Sequence, residues 1–175
     1  WAIINGEKEL GITWHEIIED VDAGPIWAES TIVIPPEATA SDIRKTMIVE
    51  GQQLFLQAWT RFMDPSSTPR YPNLKDGHVW RQRKPSDGQL GKLWTERRAR
   101  DLVRALCPPW PPAFICPDSE VGSQVKNTDD KSPGLGENKV LIENIMTQTE
   151  PGVIPYLTAE GRIIFLRPVS RNQAQ

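Results

Sequence analysis

Asp22 is the residue around which chemistry could be organised. It stands in the run Gly11-Ile12-Thr13-Trp14-His15-Glu16-Ile17-Ile18-Glu19-Asp20-Val21-Asp22-Ala23-Gly24-Pro25-Ile26, which reads as an apolar strand near Gly11 to Ile17 followed by a turn crowded with carboxylates. Loops beyond the carboxyl ends of strands are where open α/β sheets collect ligands and catalytic groups, so Asp22 could serve as one. The order Asp-Ala-Gly-Pro is equally a good structural turn, in which the aspartate accepts backbone amide hydrogen bonds. The residues alone leave both readings open. An Asp22 facing open solvent favours the first, and a buried, capped Asp22 the second. Cys107 and Cys116 fit neither a metal spacing nor a Cys-x-x-Cys pair, so no metal site is expected and both are read as packing residues.

The elements that must position this turn follow from periodicity. Residues 1–5 read as the end of a helix or buried segment, and Gly6-Glu7-Lys8-Glu9 as a polar turn leading to the strand. Ile32-Val33-Ile34 is a second short strand, closed by Pro35-Pro36. Thr39 and Ser41 offer N-caps, and Asp42 falls in the first turn, where the helix dipole favours negative charge. Ile43, Met47, Ile48, Leu54, Phe55, Ala58, Trp59 and Phe62 recur at helical spacing and predict a helix of about five turns. Its aromatic stripe is expected to be core. A second helix is predicted from Thr95 to Cys107, stopped by Pro108-Pro109-Trp110-Pro111-Pro112. Lys139 to Ile145 and Arg162 to Pro168 are strand-like, joined through Pro151-Gly152-Val153-Ile154.

Composition bounds the class. The chain has 175 residues, 38% hydrophobic and 25% charged, as a globular protein does. No apolar run approaches the roughly 18 residues of a membrane span, and no signal peptide is evident, so a cytoplasmic location is expected. The net charge of −3 is unevenly spread: residues 1–62 carry ten acidic and four basic side chains, whereas residues 70–104 carry ten basic and four acidic. Such a basic stretch could guide an anionic partner. Because the chain opens on Trp1-Ala2-Ile3-Ile4 without a methionine, it reads as a piece of a longer protein.

Two blocks carry a resemblance. Trp1-Ala2-Ile3-Ile4-Asn5-Gly6-Glu7, then Gly11-Ile12-Thr13-Trp14-His15, then Val21-Asp22-Ala23-Gly24-Pro25-Ile26 resemble the middle of the 10-formyltetrahydrofolate-dependent formyltransferases. Arg81-Gln82-Arg83-Lys84-Pro85-Ser86-Asp87-Gly88, then Leu102-Val103-Arg104-Ala105-Leu106, then Pro109-Trp110-Pro111-Pro112-Ala113-Phe114 are similar to the linker and start of that family's C-terminal domain. The second block departs from the family pattern at Gln89-Leu90-Gly91, where an Asp is usual, and at Pro112, where Gly is frequent.

The resemblance implies an α/β fold: the C-terminal part of a Rossmann-like formyltransferase domain, followed by a small β-rich, barrel-like C-terminal domain. It implies a catalytic portion at 1–63, a basic connector at 64–92, a C-terminal domain at 93–170 with a mobile loop at 117–138, and a disordered tail at 171–175. The family's catalytic Asn, His and Asp map here onto Asp22 alone, the other two belonging to a segment that would precede Trp1. The loop Glu19, Asp20 and Val21 resembles the stretch that meets the pteridine edge of the donor, 10-formyltetrahydrofolate. His15, which some sugar-modifying members share, is read as structural. Arg81, Arg83 and Lys84 are candidates for the acceptor, with Arg97, Arg98 and Arg100 as further phosphate contacts.

The implied reaction is attack of a primary amine on the formyl carbon, with an Asn and a His stabilising the developing oxyanion. A carboxylate beside that His fixes its orientation and favours its protonated form. The acceptor is initiator tRNA, as in methionyl-tRNA formyltransferase, or a nucleotide-linked amino sugar. The alternative class is a non-catalytic module, since a chain without the upstream Asn and His is expected to transfer no formyl group on its own.

Overall fold

The structure, a computed structural model, describes residues 1–116, 140–146, 148, 150 and 152–169. The loop expected at 117–138 and the tail expected at 171–175 lie outside the described residues. The chain divides into two compact units, Trp1–Gln82 and Arg83–Gln175.

The first unit is built on an antiparallel hairpin of β1 (Glu9–His15) and β2 (Ile26–Val33), with Gly11 opposite Thr31 and Thr13 opposite Glu29. Residues 1–7 form turns rather than a helix end, and bury Ile3. The predicted first strand stops two residues earlier than expected because the register slips between Trp14 and His15, and the chain leaves the ladder there. β2 in turn begins six residues before Ile32, since pairing with β1 extends it through Trp27 and Ala28.

Helix α1 (Ala40–Met63) begins at Thr39 as the capping residues predict, and is longer than five turns. The Asp42 amide donates to the Thr39 hydroxyl at 3.3 Å, and the Thr39 amide and hydroxyl donate to Asp42 Oδ2 at 3.1 and 2.6 Å, a reciprocal capping box. These bonds to Thr39, the side-chain one foremost, hold the Asp42 carboxyl below its ordinary range. A carboxylate whose folded pKa is depressed contributes stability above its unfolded value, and that contribution disappears as pH falls through the folded value. Loss of the N-cap hydroxyl in Thr39→Ala is expected to cost about 1 kcal/mol at neutral pH, the usual worth of such a cap. The difference from wild type should shrink in acid, below the ordinary carboxylate range. Paired urea melts at neutral and acid pH check both points, and a pH-independent difference would remove the charged box from the argument.

Leu54 and Ala58 of α1 pack on Ala28, with Ile12 and Trp27 at the margin. The expectation that the aromatic stripe of α1 is core does not hold. Met47, Ile48, Phe55, Trp59 and Phe62 are all substantially exposed, and only Ile43, Leu54 and Ala58 of the helix are buried. A two-stranded ribbon is too narrow to cover a 24-residue helix, so the rings stack along the surface from Phe55 to Trp59 to Phe62. After α1 the chain is irregular, with one 3-10 turn at Leu74–Asp76. It is tied to the start of β2 by a pair of hydrogen bonds between Ile26 and Arg70, at 2.7 and 2.9 Å.

The second unit comprises a 3-10 turn at Pro85–Gly88, α2 (Glu96–Ala105) and strands β3 (Ala113–Ile115), β4 (Val140–Met146), β5 (Ile154–Leu157) and β6 (Ile163–Pro168). The sheet is antiparallel in the order β3-β4-β6-β5. α2 packs on β4, and Leu102, Ile142, Ile164 and Leu166 are fully buried. The arginines of α2 are partly spent inside this unit. Arg100 pairs with Glu96 at 2.8 Å and donates to the Ile145 carbonyl at 3.0 Å, and Arg104 pairs with the buried Asp101 at 2.7 Å. Arg98 lies over the Trp94 ring at 4.0 Å. Arg100, one of the residues that could contact phosphate, makes both of these contacts within its own unit.

Candidate active-site turn

The turn that carries Asp22 is closed at its base and open at its crest. As β1 ends, the Glu16 amide donates to the Pro25 carbonyl at 2.9 Å, bringing the two ends of the 16–25 segment together. The Trp27 indole N–H donates to Glu16 Oε1 at 2.8 Å, fastening the same residue to β2. His15 Nδ1 lies 2.8 Å from the Glu16 carbonyl oxygen. A carbonyl only accepts, so this nitrogen bears the hydrogen and Nε2 faces away from the backbone.

Gly24 explains why this base can close. A Cβ there would lie 1.8 Å from the Glu16 carbonyl oxygen and 3.3 Å from His15 Nδ1, so only glycine allows the backbones to approach. Gly24, Pro25 and Ile26 are buried beneath the turn.

Above this base, the Ala23 amide reaches the Asp20 carbonyl at 3.4 Å, and Asp22 takes a left-handed conformation with φ 57°. Aspartate is among the few residues that visit that region readily. Its side chain is 88% exposed, and Oδ1 lies 3.8 Å from His15 Nε2. That separation exceeds a hydrogen bond, so the two groups interact through charge when the imidazole is protonated. With Asp22 this exposed, such a pair contributes little to stability.

Glu19, Asp20 and Val21 share the crest and are exposed. Ile17, 95% exposed, and the half-exposed Ile18 join Val21 there, so the turn shows apolar side chains among four carboxylates. The sequence reading put Ile17 in the strand and missed this surface. The available signal was an aperiodic mixture of Ile and acidic residues, matching neither a helix nor a strand.

The remaining candidates lie in the connector. Arg81, in the first unit, has its guanidinium 5.0 Å over the Trp1 ring. Arg83 and Lys84 open the second unit, Arg83 partly buried and Lys84 exposed, and the Lys84 amide donates to Asp87 Oδ2 at 2.6 Å. Cys107 and Cys116 are of intermediate burial. Among the described residues no three His, Cys, Asp or Glu side chains converge as a metal site requires, and no helix is long and apolar enough to cross a membrane.

Residues 1–59 match the family model described as formyl transferase. Among solved structures, HypX from Aquifex aeolicus in complex with tetrahydrofolic acid superposes with a TM-score of 0.63 at 19% identity, over 95% of this chain and 28% of that one. An N-formyltransferase from Helicobacter canadensis, in complex with folinic acid and dTDP-3-aminofucose, gives 0.66 at 17% identity over 96% of this chain and 59% of that one. Methionyl-tRNA formyltransferase from Clostridium thermocellum gives 0.52 at 16%, over 96% and 60%. The chain thus spans under a third of HypX and about three fifths of the other two, and similarity at these identities is one of fold. Residues 1–59, which hold the Asp22 turn, are similar to the formyl transferase family model, and the chain shares its fold with these solved formyltransferase structures.

Proposed function

We propose that this chain forms part of an enzyme that transfers a formyl group from 10-formyltetrahydrofolate to a primary amine, with Asp22 as its catalytic carboxylate. The observation that carries the proposal is the state of Asp22 inside the matched segment: left-handed, open to solvent and held above a base that only glycine permits. A purely structural aspartate in such a turn would be expected to spend its oxygens on neighbouring amides.

10-formyltetrahydrofolate, when bound, supplies the formyl carbon. Ile17, Ile18 and Val21 offer its ring an apolar surface, and Glu19 and Asp20 offer acceptors at the ring edge. Asp22 orients the family's catalytic histidine, which the resemblance places upstream of Trp1 and which is not His15, and stabilises its imidazole once it has taken the amine proton. The acceptor in this reading is initiator tRNA or a nucleotide-linked amino sugar, approached through Arg81, Arg83 and Lys84.

The reading is tested by titrating folinic acid, a stable formyl donor analogue, into the 15N-labelled chain. Amide shifts should move at residues 17–24 and leave the second unit undisturbed. Binding that moves only the second unit, or no shift at millimolar ligand, would remove the turn from donor recognition.

A further inference from the structure

We propose that residues 71–79 form a strap that Trp1 latches onto the first unit, and that release of this latch lengthens the tether leading to the second unit. The device concerns how the chain itself is held and stands apart from the formyl-transfer reading.

The strap is fixed at two points. At its start, Arg70 exchanges a pair of backbone hydrogen bonds with Ile26, at 2.7 and 2.9 Å, and its guanidinium pairs with Glu29. At its end, the Trp80 ring stacks on Trp1, with centroids 6.0 Å apart and planes within 17° of parallel. The Trp1 indole N–H donates to the Arg81 carbonyl at 2.8 Å, and the Arg81 guanidinium lies 5.0 Å over the Trp1 ring. One side chain thus holds the ring of Trp80 together with the carbonyl and the cation of the next residue.

Trp1 stands on a firm base. The Asn5 amide donates to the Trp1 carbonyl, the Glu7 amide to that of Ala2 and the Gly6 amide to that of Ile3, each at 2.9 Å, and Ile3 is buried. The strap is anchored far less well by its own packing. Tyr71, Leu74 and Val79 are 72%, 61% and 91% exposed. Hydrogen bonds within it are local and long, from the Lys75 amide to Asn73 Oδ1 at 3.3 Å and from the Gly77 amide to the Leu74 carbonyl at 3.4 Å. A segment that buries so little apolar surface opens at small cost unless its ends hold it. Ring stacking, the indole hydrogen bond and the cation contact would each favour the closed strap by about two- to tenfold. They act together, because one indole makes all three.

Opening changes where the chain leaves the first unit, whose last residue is Gln82. With the latch closed, that point follows Trp80 and Arg81. With the latch open it moves back to Arg70, which the bonds to Ile26 still hold. Residues 71–82, roughly 40 Å when fully extended, then join the tether.

The test is cleavage of the folded full chain by thermolysin, which cuts before accessible apolar residues, with the fragments identified by mass spectrometry. Cleavage before Leu74 and Val79 reports the strap, and cleavage before Ile12 and Ile32 reports the hairpin. Trp1→Ala should raise the rate of strap cleavage about tenfold or more and leave the hairpin sites unchanged. Trp1→Phe, which keeps a ring and loses the N–H, should fall between the two. Trp80→Ala breaks the same stack from the strap side, without touching residues 1–7, and should give the same local gain. Strap cleavage unchanged in both alanine variants would overturn the latch. So would equal gains at strap and hairpin in both, since the contact would then hold the whole unit and not the strap. Both alanine variants should also show a larger radius of gyration in X-ray scattering, and an unchanged radius would overturn the lengthened tether.

Discussion

On the proposed formyl-transfer reading, Asp22→Asn is expected to lower turnover of the full protein by about a hundredfold to ten-thousandfold, the usual worth of positioned acid-base chemistry. Asparagine keeps the size of the side chain and, like aspartate, tolerates the left-handed φ of 57°. It removes the charge that orients and stabilises a protonated imidazole. Because the side chain is 88% exposed, stability should change by no more than about 0.5 kcal/mol. Alanine would be a poorer probe, since an ordinary residue forced into that conformation adds strain of about 1–2 kcal/mol. The measurement is kcat at saturating donor and acceptor, with a thermal melt alongside. Normal turnover in a well-folded Asp22→Asn protein would take Asp22 out of the mechanism.

Gly24→Ala should damage fold and site together. Its Cβ would sit 1.8 Å from the Glu16 carbonyl oxygen and 2.8 Å from the carbonyl carbon, both backbone atoms that no rotamer change can move. The hydrogen bond from Glu16 to Pro25 must then open or the hairpin must shift. The expected cost is about 1–3 kcal/mol, at the upper end because the obstacle is backbone. Loss of the folinic acid response at residues 17–24 should accompany it. Gly51→Ala on α1 is the control: no atom lies within 4 Å of the added Cβ, and stability should rise by about 0.4–1 kcal/mol. Equal behaviour of the two variants in urea melts would contradict the close approach at Gly24.

The contrast between these two glycines is also a lesson in legibility. Both are single letters in the sequence, and the turn signal around Gly24 does not show how closely the Glu16 backbone approaches it. Gly51 lies within a helix whose beginning was readable, because Thr39 and Asp42 signal a cap within four residues of one another. What covers that helix was not readable. The spacing of Phe55, Trp59 and Phe62 defines a face, while its burial depends on the width of the sheet packed against it, and a two-stranded hairpin leaves those rings half in water. The second unit repeats the point. β4 and β6 were legible from their apolar runs, whereas β3 and β5 have only three and four residues, β5 containing Pro155, and are strands because neighbours pair with them.

The sequence by itself determined the carboxylate turn, the two principal helices, the division of charge and the family resemblance of the first block. Each of these is written in residues close together along the chain, where turn chemistry, capping and periodicity act. Only the tertiary structure decided that His15 faces Asp22, that Gly24 must pass against Glu16, that Arg100 is spent on Glu96 and Ile145, and that Trp1 stacks on Trp80. Those pairings depend on where the backbone returns, set by a register slip at Trp14, the Ile26–Arg70 tie and the packing of α2 on β4. No local pattern encodes such returns, because they are resolved by many weak long-range contacts acting together.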